Sequence, residues 1–490
     1  MREDGPVPHA SPVVCSCAVR RRRLVSVAQL AGVALAAAAV GPVSAAAAPV
    51  VERSAPASEL SGTGRLVADA RSRSGMTVLL GSRARASVHV VTPLTRAIAI
   101  DFAGGCRGAR LRLMVDSGRA RTLPADSGGE HAATVTQTLA AGPHRLALSA
   151  TYPRHHHRCA VTRVGELDFL PARPADGVTL GAAVRASNLP DRHYAAAFTR
   201  YYGSLTPENE MKMLYAEPAP GVYDFAPADR LVNFAIATGK LLRGHTLVYG
   251  NQLPDWVTSP AVPWTRDSLL AVMRDYITTM MRHFAGRVEE WDVVNEAFNE
   301  DGTLRDNLWL QKIGPSYIEK AFTWAHQADP KALLFYNDYN LEYGGPKQDG
   351  AYDLVKGLVR KGVPIDGVGF QTHLDTQYDI PDLETTMKRF AKLGLKTAET
   401  EVDVRTTLPV TSVELSAQKA GYAETLQACL LVKACISYTV WGFGDAYSWI
   451  PGVFPGEGAA DVYDDHLVAK PEYTALQTVL RTAKSVPHRN

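Results

Sequence analysis

The chain has 490 residues, of which 46% are hydrophobic and 21% are charged, and these fractions are ordinary for a globular protein. Its length exceeds that of one small domain, so we expect two folded units and a leader. The formal net charge of +2 argues against a nucleic-acid partner, because such proteins usually carry a basic stripe and none appears beyond the first residues.

The first 48 residues predict an export signal. Four arginines at 20–23 precede an apolar, alanine-rich run at 24–40, and small residues follow. A basic region, an apolar stretch and an A-x-A site are typical of secreted proteins, and both the general and the twin-arginine routes are open. A membrane anchor is the alternative, but the apolar run is near the short limit for a span. We therefore expect cleavage near Ala46 or Ala48, an extracellular protein and no stable membrane anchor.

Residues 49–63 are rich in Ala, Pro and Ser and predict a linker. From residue 64 to residue 171, short stretches alternate between apolar and polar residues, and paired glycines separate some of them. Such stretches occur at 87–91, 97–101, 110–114 and 145–148. Short alternating strands with frequent turns indicate a small all-β sandwich.

From residue 177 to residue 485 strands alternate with amphipathic helical segments. Eight strand-like runs occur at 179–184, 201–205, 241–249, 288–296, 332–340, 366–374, 396–404 and 437–445. Helices are predicted at 267–284, 316–327, 382–393, 416–431 and 472–483. Eight β-α units predict an α/β fold, the (β/α)8 TIM barrel. An open doubly wound sheet is the alternative, but no glycine-rich phosphate turn follows the first strand.

Two glutamates, Glu296 and Glu401, end predicted buried strands of this barrel. A carboxylate directly after an apolar strand costs stability unless it is paired or functional. Barrel chemistry takes place at the C-terminal ends of the strands, where these two side chains would meet. Paired carboxylates in such a place point to the cleavage of a glycosidic bond.

Further polar and aromatic side chains fall at the same predicted strand ends. They suit a carbohydrate, because sugars offer hydroxyls to polar groups and C–H faces to aromatic rings. A single histidine or tryptophan is more often a core residue, and only the joint position of the set favours a site. The candidates are Glu208, Asn209, Lys212, His245, Gln252, Asn295, Asn337, Tyr339, Gln371, His373, Asp403, Trp441 and Trp449.

A series of motifs in the barrel resembles the family 10 glycoside hydrolases, which are in the main endo-β-1,4-xylanases. The resemblance covers nearly all of residues 178–483. Its motifs are TPENEMK at 206–212, RGHTLV at 243–248, WDVVNE at 291–296, YNDYN at 336–340, GVGFQTH at 367–373, TEVD at 400–403, TVWG at 439–442 and YSWIPGVFPG at 447–456.

The resemblance implies different roles for the two glutamates. The Asn-Glu pair of the fourth strand carries the acid/base of that family, which implies Glu296 here, and Thr-Glu-x-Asp carries the nucleophile, which implies Glu401. Asn295 would contact the 2-hydroxyl of the cleaved sugar, and His373 and Asp403 would orient and stabilise the ionised nucleophile. If the carboxylates stand roughly 5–5.5 Å apart, hydrolysis retains the anomeric configuration through a covalent intermediate.

The resemblance also implies a xylan-like plant cell-wall polysaccharide as the partner. Sugars on the non-reducing side would be held by Glu208, Asn209, Lys212, His245 and Gln252. The subsite beside the scissile bond would be walled by Trp441 and Trp449. Gln371 is a further predicted substrate contact, and Asn337 and Tyr339 are predicted to support the site. The chemistry requires no metal and no cofactor, and we expect a monomer.

Two departures from the family motifs lie beside the predicted cleft. Met213 and the segment Tyr249-Gly250-Asn251 stand where the family commonly has Trp and Trp-His-Ser. They leave the subsite preference open, so a β-linked glucan or an aryl glycoside is an alternative substrate. A non-catalytic polysaccharide-binding protein is the alternative from another class, but both glutamates and their supporting residues argue against it.

Four cysteines follow the leader, and an even number in an exported protein predicts disulfides. The pairings Cys106–Cys159 and Cys429–Cys435 keep each bridge inside one unit. The N-terminal unit resembles small carbohydrate-binding modules, some of which use calcium, so a calcium site is one alternative there. All seven tryptophans lie in the barrel, however, so a structural unit without a ligand is equally open.

Overall fold

The computed structural model describes residues 54–56, 60–63, 65–68, 76–80, 84–92, 95–103, 109–124, 130–140, 142–152, 162–171 and 177–485. The predicted export signal at 1–48 and the predicted Cys106–Cys159 disulfide lie outside the described residues.

The N-terminal unit is built from two antiparallel sheets. Its strands are β1 (Ser54–Pro56), β2 (Ser61–Gly62), β3 (Arg65–Ala68), β4 (Met76–Leu80), β5 (Arg85–Thr92), β6 (Thr95–Ala103), β7 (Arg110–Val115), β8 (Arg121–Pro124), β9 (Glu130–Leu139), β10 (Gly142–Thr151) and β11 (Thr162–Pro171). One sheet has the order β3-β4-β11-β6-β9 with β1 beside β11, and the other has the order β2-β5-β10-β7-β8.

Alternation of apolar and polar residues places one face of each sheet in a shared core. In β7, Leu111 and Leu113 are buried while Arg110 and Arg112 are exposed. They lie in one hydrophobic cluster with Val164 and Leu167 of the other sheet. This arrangement confirms the predicted all-β sandwich. Phe102 belongs to the same core and is only 6% exposed, so its ring does not provide a flat surface for a sugar.

The sandwich begins earlier than the sequence predicts. β1 and β2 lie within the predicted linker at 49–63, and they pair with β11 and β5. Period-two patterning could not reveal strands of two or three residues, because such short runs contain too few alternations.

The second unit contains a closed barrel of parallel strands and a short strand that pairs antiparallel with one of them. Its strands are β12 (Thr179–Val184), β13 (Ser204–Pro207), β14 (Leu241–Tyr249), β15 (Glu290–Asn295), β16 (Leu333–Asp338), β17 (Gly367–Phe370), β18 (His373–Asp375), β19 (Lys396–Thr407), β20 (Cys435–Val440) and β21 (Glu457–Gly458). The order β17-β16-β15-β14-β13-β12-β20-β19 closes through pairing of β17 with β19. This topology confirms the predicted (β/α)8 TIM barrel.

Helices connect the barrel strands and bury one face each. They are α1 (Arg192–Tyr201), α2 (Met213–Ala216), α3 (Ala226–Ala237), α4 (Asp255–Thr258), α5 (Arg266–His283), α6 (Leu308–Ile313), α7 (Ser316–Ala328), α8 (Gly345–Arg360), α9 (Leu383–Ala391), α10 (Ser412–Leu431), α11 (Ile450–Val453) and α12 (Pro471–Ser485). None of those in the described part of the chain has the length and apolar character of a membrane span.

Two local differences from the predicted elements have simple causes. The strand predicted at 201–205 starts only at Ser204, because Tyr201 ends α1 and packs against Tyr473. The helix predicted from residue 416 begins at Ser412, because Thr411 and Glu414 form a capping box. The predicted Cys429–Cys435 disulfide is present and joins α10 to the start of β20.

A buried arginine neutralises two carboxylates inside the barrel. Arg243 of β14 is 3% exposed, and it donates from Nη1 to Oε2 of Glu290 at 2.6 Å and from Nε to Oδ2 of Asp292 at 3.1 Å. Its guanidinium group also lies 4.6 Å from the ring centroid of Phe335. Because burial of an unpaired charge is costly, these partners depend on one another.

We expect Arg243→Met to lower the free energy of unfolding by about 3–5 kcal/mol, because the change removes the guanidinium group that both buried carboxylates contact. Thermal and denaturant unfolding would measure the loss. The control is Arg266→Met, which removes an arginine that is 52% exposed and 3.7 Å from Asp267, and its cost should be less than about 1 kcal/mol. Equal losses in the two variants would contradict this account.

Candidate active site

The C-terminal ends of the barrel strands bring the predicted site residues into one network. Glu296 directly follows β15, and Glu401 lies in β19. Two amide side chains link them: Asn337 donates from Nδ2 to Oε1 of Glu401 at 2.7 Å and to Oδ1 of Asn295 at 2.8 Å. Asn295 in turn donates to Oε1 of Glu296 at 3.1 Å. The two carboxyl groups therefore share one buried pocket.

Close packing inside the barrel makes room for this link. A Cβ atom at Gly369 would lie 2.3 Å from Oδ1 of Asn337, so only a glycine in β17 allows the amide its position. Oδ1 of Asn337 accepts from the hydroxyl of Thr400 at 2.7 Å, which leaves its Nδ2 facing the two acceptors. The orientation of this amide is thus determined by its neighbours.

Glu296 is surrounded by hydrogen-bond donors on both carboxyl oxygens. Oε1 lies 3.1 Å from the hydroxyl of Tyr249 and 3.3 Å from Nε2 of Gln371, in addition to its contact with Asn295. Oε2 accepts from Nη1 of Arg305 at 3.1 Å. The side chain is 12% exposed, so it remains reachable from the cleft.

The backbone at Glu296 turns sharply as the strand ends. Its φ angle is +55°, an uncommon value for a residue with a Cβ atom. Side chains of β16 hold the next two residues. The amide of Ala297 donates to the hydroxyl of Tyr336 at 3.2 Å, and the amide of Phe298 donates to Asp338 at 3.4 Å. These contacts fix the backbone after Glu296 and therefore the direction in which its side chain points.

Glu401 is a buried carboxyl group that is held in its ionised form. Burial alone would raise its pKa, but the charges of His245 and His373 and the hydrogen bond from His373 outweigh burial, and the pKa lies below its usual value. Nε2 of His373 is 3.3 Å from Oε2, and Nδ1 of His245 is 3.9 Å from Oε1. An isolated buried acid would have a raised pKa, whereas the partners of Glu401 lower its pKa.

His373 lies between two carboxylates. Its Nδ1 lies 3.0 Å from Oδ2 of Asp403, on the opposite side of the ring from Glu401. Burial lowers the pKa of His373, but Asp403 and Glu401 raise it more, to about 10. The same oxygen of Asp403 accepts from Nε1 of Trp449 at 2.7 Å, and the indole packs edge-on against the imidazole at 5.0 Å.

His245 joins the site to the buried arginine of the barrel. Its Nδ1 lies 3.0 Å from Oδ2 of Asp292, whose other contacts are with Arg243. Trp441 packs edge-on against this imidazole at 5.1 Å between ring centroids. His245 is thus held by a carboxylate on one side and an indole on the other.

Four predicted residues form a polar wall on one side of the pocket. Oδ1 of Asn209 accepts from Nζ of Lys212 at 3.1 Å and from Nε2 of Gln252 at 3.2 Å. Glu208 is paired with Arg185, and burial raises the pKa of Glu208 in spite of that pair. Burial likewise lowers the pKa of Lys212, although Glu401 and Glu208 oppose the shift. The ammonium group lies 5.9 Å from the ring centroid of Trp441.

Tyr339 directly follows the end of β16. Its hydroxyl accepts from Nη2 of Arg305 at 2.6 Å, and Nζ of Lys347 lies 3.2 Å from the centroid of its ring. Tyr339 therefore supports the arginine that contacts Glu296.

Sequence reasoning missed several residues of this site. Arg305 comes from the loop after β15, where no periodic pattern marks a position. Arg243 and Asp292 fall within motifs at 243–248 and 291–296, but their pairing spans 49 residues and appears only when the barrel closes. Tyr249 stood out only as a departure from the family motif. Met213, the other departure, is buried in the hydrophobic core.

Within the described ranges, no group of three or more His, Cys, Asp or Glu side chains could hold a metal ion.

Residues 171–479 match the model of Glycosyl hydrolase family 10. An endo-1,4-beta-xylanase of Agaricus bisporus is 41% identical over 298 residues, which are 60% of this chain and 89% of that protein. Endo-1,4-beta-xylanase B of Thermotoga neapolitana is 41% identical over 296 residues, which are 60% of this chain and 85% of that protein.

Solved structures of similar proteins agree with the sequence matches. Xylanase 10B from Thermotoga petrophila RKU-1, in complex with xylobiose, is 42% identical with a TM-score of 0.60, covering 62% of this chain and 94% of that one. A GH10 xylanase from Bispora sp. MEY-1 with xylobiose is 36% identical with a TM-score of 0.61, covering 62% of this chain and 97% of that one.

We expect His373→Gln to destabilise the protein in a pH-dependent way. The folded-state pKa of His373 is raised to about 10, so its stabilising contribution is complete below about pH 6.5 and is lost as the pH rises through 10. The difference in free energy of unfolding between the wild type and this variant should therefore shrink between these two values.

Denaturant unfolding at several pH values would measure this difference. His326→Gln, on an exposed position of α7, controls for the loss of an imidazole. A difference that stays constant from pH 6 to pH 10 would contradict a charged His373.

Proposed function

We propose that this chain, which belongs to glycosyl hydrolase family 10 and is an endo-1,4-β-xylanase, hydrolyses internal bonds of xylan by double displacement with retention of configuration. The contrast between its two carboxyl groups carries the proposal. Glu401 lies between two imidazoles that keep its pKa low, whereas Glu296 faces a hydroxyl, two amides and a guanidinium group. A retaining glycosidase needs one ionised carboxylate and one carboxyl group that exchanges a proton.

The first displacement uses both glutamates at once. An oxygen of Glu401 forms a bond to the anomeric carbon while the bond from that carbon to the departing oxygen breaks, and Glu296 donates its proton to the departing oxygen. This step requires an ionised Glu401 and a protonated Glu296 at the same time. His373 stabilises Glu401 before the attack because it carries a positive charge.

The second displacement returns the enzyme to its starting state. Water attacks the same carbon, Glu296 takes one proton from the water, and the bond to Glu401 breaks. Formation of the ester removes the negative charge of Glu401, which allows Glu296 to remain ionised and act as the base. This sequence needs side chains only and takes no cofactor.

The surrounding residues would bind the polysaccharide. Asn295 lies beside Glu296, where it would contact the 2-hydroxyl of the cleaved sugar, and Gln371 would contact the same sugar. Trp441 and Trp449 flank His373 and His245 and offer their rings to the sugar faces. The polar wall of Glu208, Asn209, Lys212 and Gln252, together with His245, would bind the sugars on the non-reducing side.

Xylan is favoured over a glucan because the relatives and the solved structures are xylanases. Glucose differs from xylose by a hydroxymethyl group, so crowding around the cleaved sugar decides between them. Tyr249 and Gly250 replace the larger Trp and His of the family motif, so they change how crowded the site is around the cleaved sugar. The leader indicates export to the cell exterior, which N-terminal sequencing of secreted protein would check.

We expect Glu401→Ala to lower the turnover of xylan by more than roughly 100-fold, because no nucleophile then remains for the first displacement. Reducing-sugar release would measure it. Glu384→Ala, which removes an exposed carboxylate of α9, is the matched control and should keep wild-type activity. Residual activity of Glu401→Ala above a few per cent would refute the nucleophile assignment.

We expect the sugar released from xylan to carry the β-anomeric configuration at first, and to be longer than one xylose unit. Proton NMR of the reaction at early times distinguishes retention from inversion. Product sizes from xylan, arabinoxylan, mixed-linkage glucan and cellulose test the substrate and the endo mode together. Initial α-products would contradict the double displacement, and single xylose units from chain ends would contradict the endo mode.

A further inference from the structure

Tyr249 is the last residue of β14, and its side chain connects an exposed amide to Glu296. The phenol oxygen lies 3.1 Å from Oε1 of Glu296, and it accepts from Nδ2 of Asn251 at 3.2 Å. The family motif commonly has a tryptophan at this position, so the hydroxyl group is a feature of this chain.

The backbone around Tyr249 is fixed on both sides. Its carbonyl oxygen accepts from Nε1 of Trp309 at 2.7 Å. A Cβ atom at Gly250 would lie 3.0 Å from Cβ of Asn307, so the glycine allows the end of β14 to lie against the start of α6. Asn307 is itself held, because its Oδ1 caps α6 by accepting from the amide of Leu310. The hydroxyl group is therefore aimed at Glu296 by a rigid support.

Only one of the four partners of Glu296 can change the direction of its hydrogen bond. The side-chain nitrogens of Asn295, Gln371 and Arg305 only donate, whereas a phenol both donates and accepts. Tyr249 contacts Oε1 and Arg305 contacts Oε2, so the phenol and the guanidinium group hold different oxygens of Glu296.

We propose that Tyr249 is a positioning residue that holds the carboxyl group of Glu296 in both of its protonation states. When Glu296 is ionised, the hydroxyl donates a hydrogen bond to Oε1. When Glu296 is protonated on Oε1, the phenol oxygen accepts a hydrogen bond from that group, and the hydroxyl hydrogen turns towards the exposed side chain of Asn251, whose amide turns to present its oxygen. The inference rests on the proposed role of Glu296 as acid and base, which passes through both states in each turnover. The inference adds Tyr249 as a residue that supports Glu296 in both states.

The phenol itself stays protonated throughout. Burial first, and then the negative charge of Glu296, raise the pKa of Tyr249 well above its usual value. Tyr249 therefore supports proton transfer by Glu296 without losing its own proton.

Tyr249→Phe removes the hydroxyl group and keeps the ring. We expect kcat/KM for a phenyl xylobioside, whose leaving group needs protonation, to fall by about 10-fold to 100-fold. For a dinitrophenyl xylobioside, whose leaving group departs unaided, kcat/KM should change by less than about 2-fold. Equal losses on both substrates would overturn the inference, because they would indicate a general disturbance of the cleft.

The pH dependence of kcat/KM tests whether the side chain at position 249 both donates to and accepts from Glu296, or only donates. In Tyr249→Phe, ionised Glu296 loses a hydrogen bond of the stronger, charge-assisted kind, so the alkaline limb should move to higher pH. In Tyr249→Trp, the indole can donate to ionised Glu296 but cannot accept from protonated Glu296, so the limb should move to lower pH. Movement in the same direction in both variants would contradict the proposal.

Two reference variants complete the experiment. Tyr223→Phe removes another phenol that donates to a carboxylate, Asp275 at 3.2 Å, outside the site, and it should leave both substrates unaffected. Glu296→Ala should show the same dependence on the leaving group as Tyr249→Phe, but more strongly. If Glu296→Ala lacks that dependence, the acid role in the proposed function fails; if Glu296→Ala shows it and Tyr249→Phe does not, only the inference fails.

Discussion

Burial of charge at the centre of the barrel is the constraint on which the site depends. Arg243, Asp292, His245, Glu401, His373 and Asp403 form one chain of contacts in which carboxylates alternate with nitrogen bases. Each carboxylate has a base on both sides or an additional donor, as Asp403 has in Trp449. Removal of any one member would leave each of its neighbours buried with one partner fewer, so the members depend on one another.

The partners of a carboxyl group, more than its depth, decide its protonation state in this barrel. Glu399 and Glu401 are two residues apart in β19, and both are buried. Burial raises the pKa of Glu399 well above its usual value, and Glu342 adds to the shift, whereas the imidazoles reverse the effect of burial at Glu401. Equal burial therefore produces a neutral acid at one position and an anion at the other.

The barrel and the paired glutamates could be predicted because both depend on local patterns. Apolar strands with polar ends mark Glu296 and Glu401 directly, and eight such strands indicate closure. Arg305 could not be predicted, because it lies in a loop and reaches Glu296 only through the turn that follows β15. The partners of Arg243 could not be assigned either. They lie on the neighbouring strand, and they are 47 and 49 residues away from Arg243 in the chain. The strands β1 and β2 could not be predicted, because two or three residues show too little alternation of apolar and polar side chains.

The uneven distribution of tryptophan gives the molecule a built-in optical reporter. All seven indoles belong to the barrel, so tryptophan fluorescence observes the barrel and is silent about the β-sandwich. Trp449 lies 5.0 Å from the imidazole of His373 and donates to its carboxylate partner, and Trp441 lies 5.1 Å from the imidazole of His245. Emission from these two rings therefore senses the charge at the candidate active site, and fluorescence combined with a backbone signal distinguishes loss of the barrel from loss of the β-sandwich.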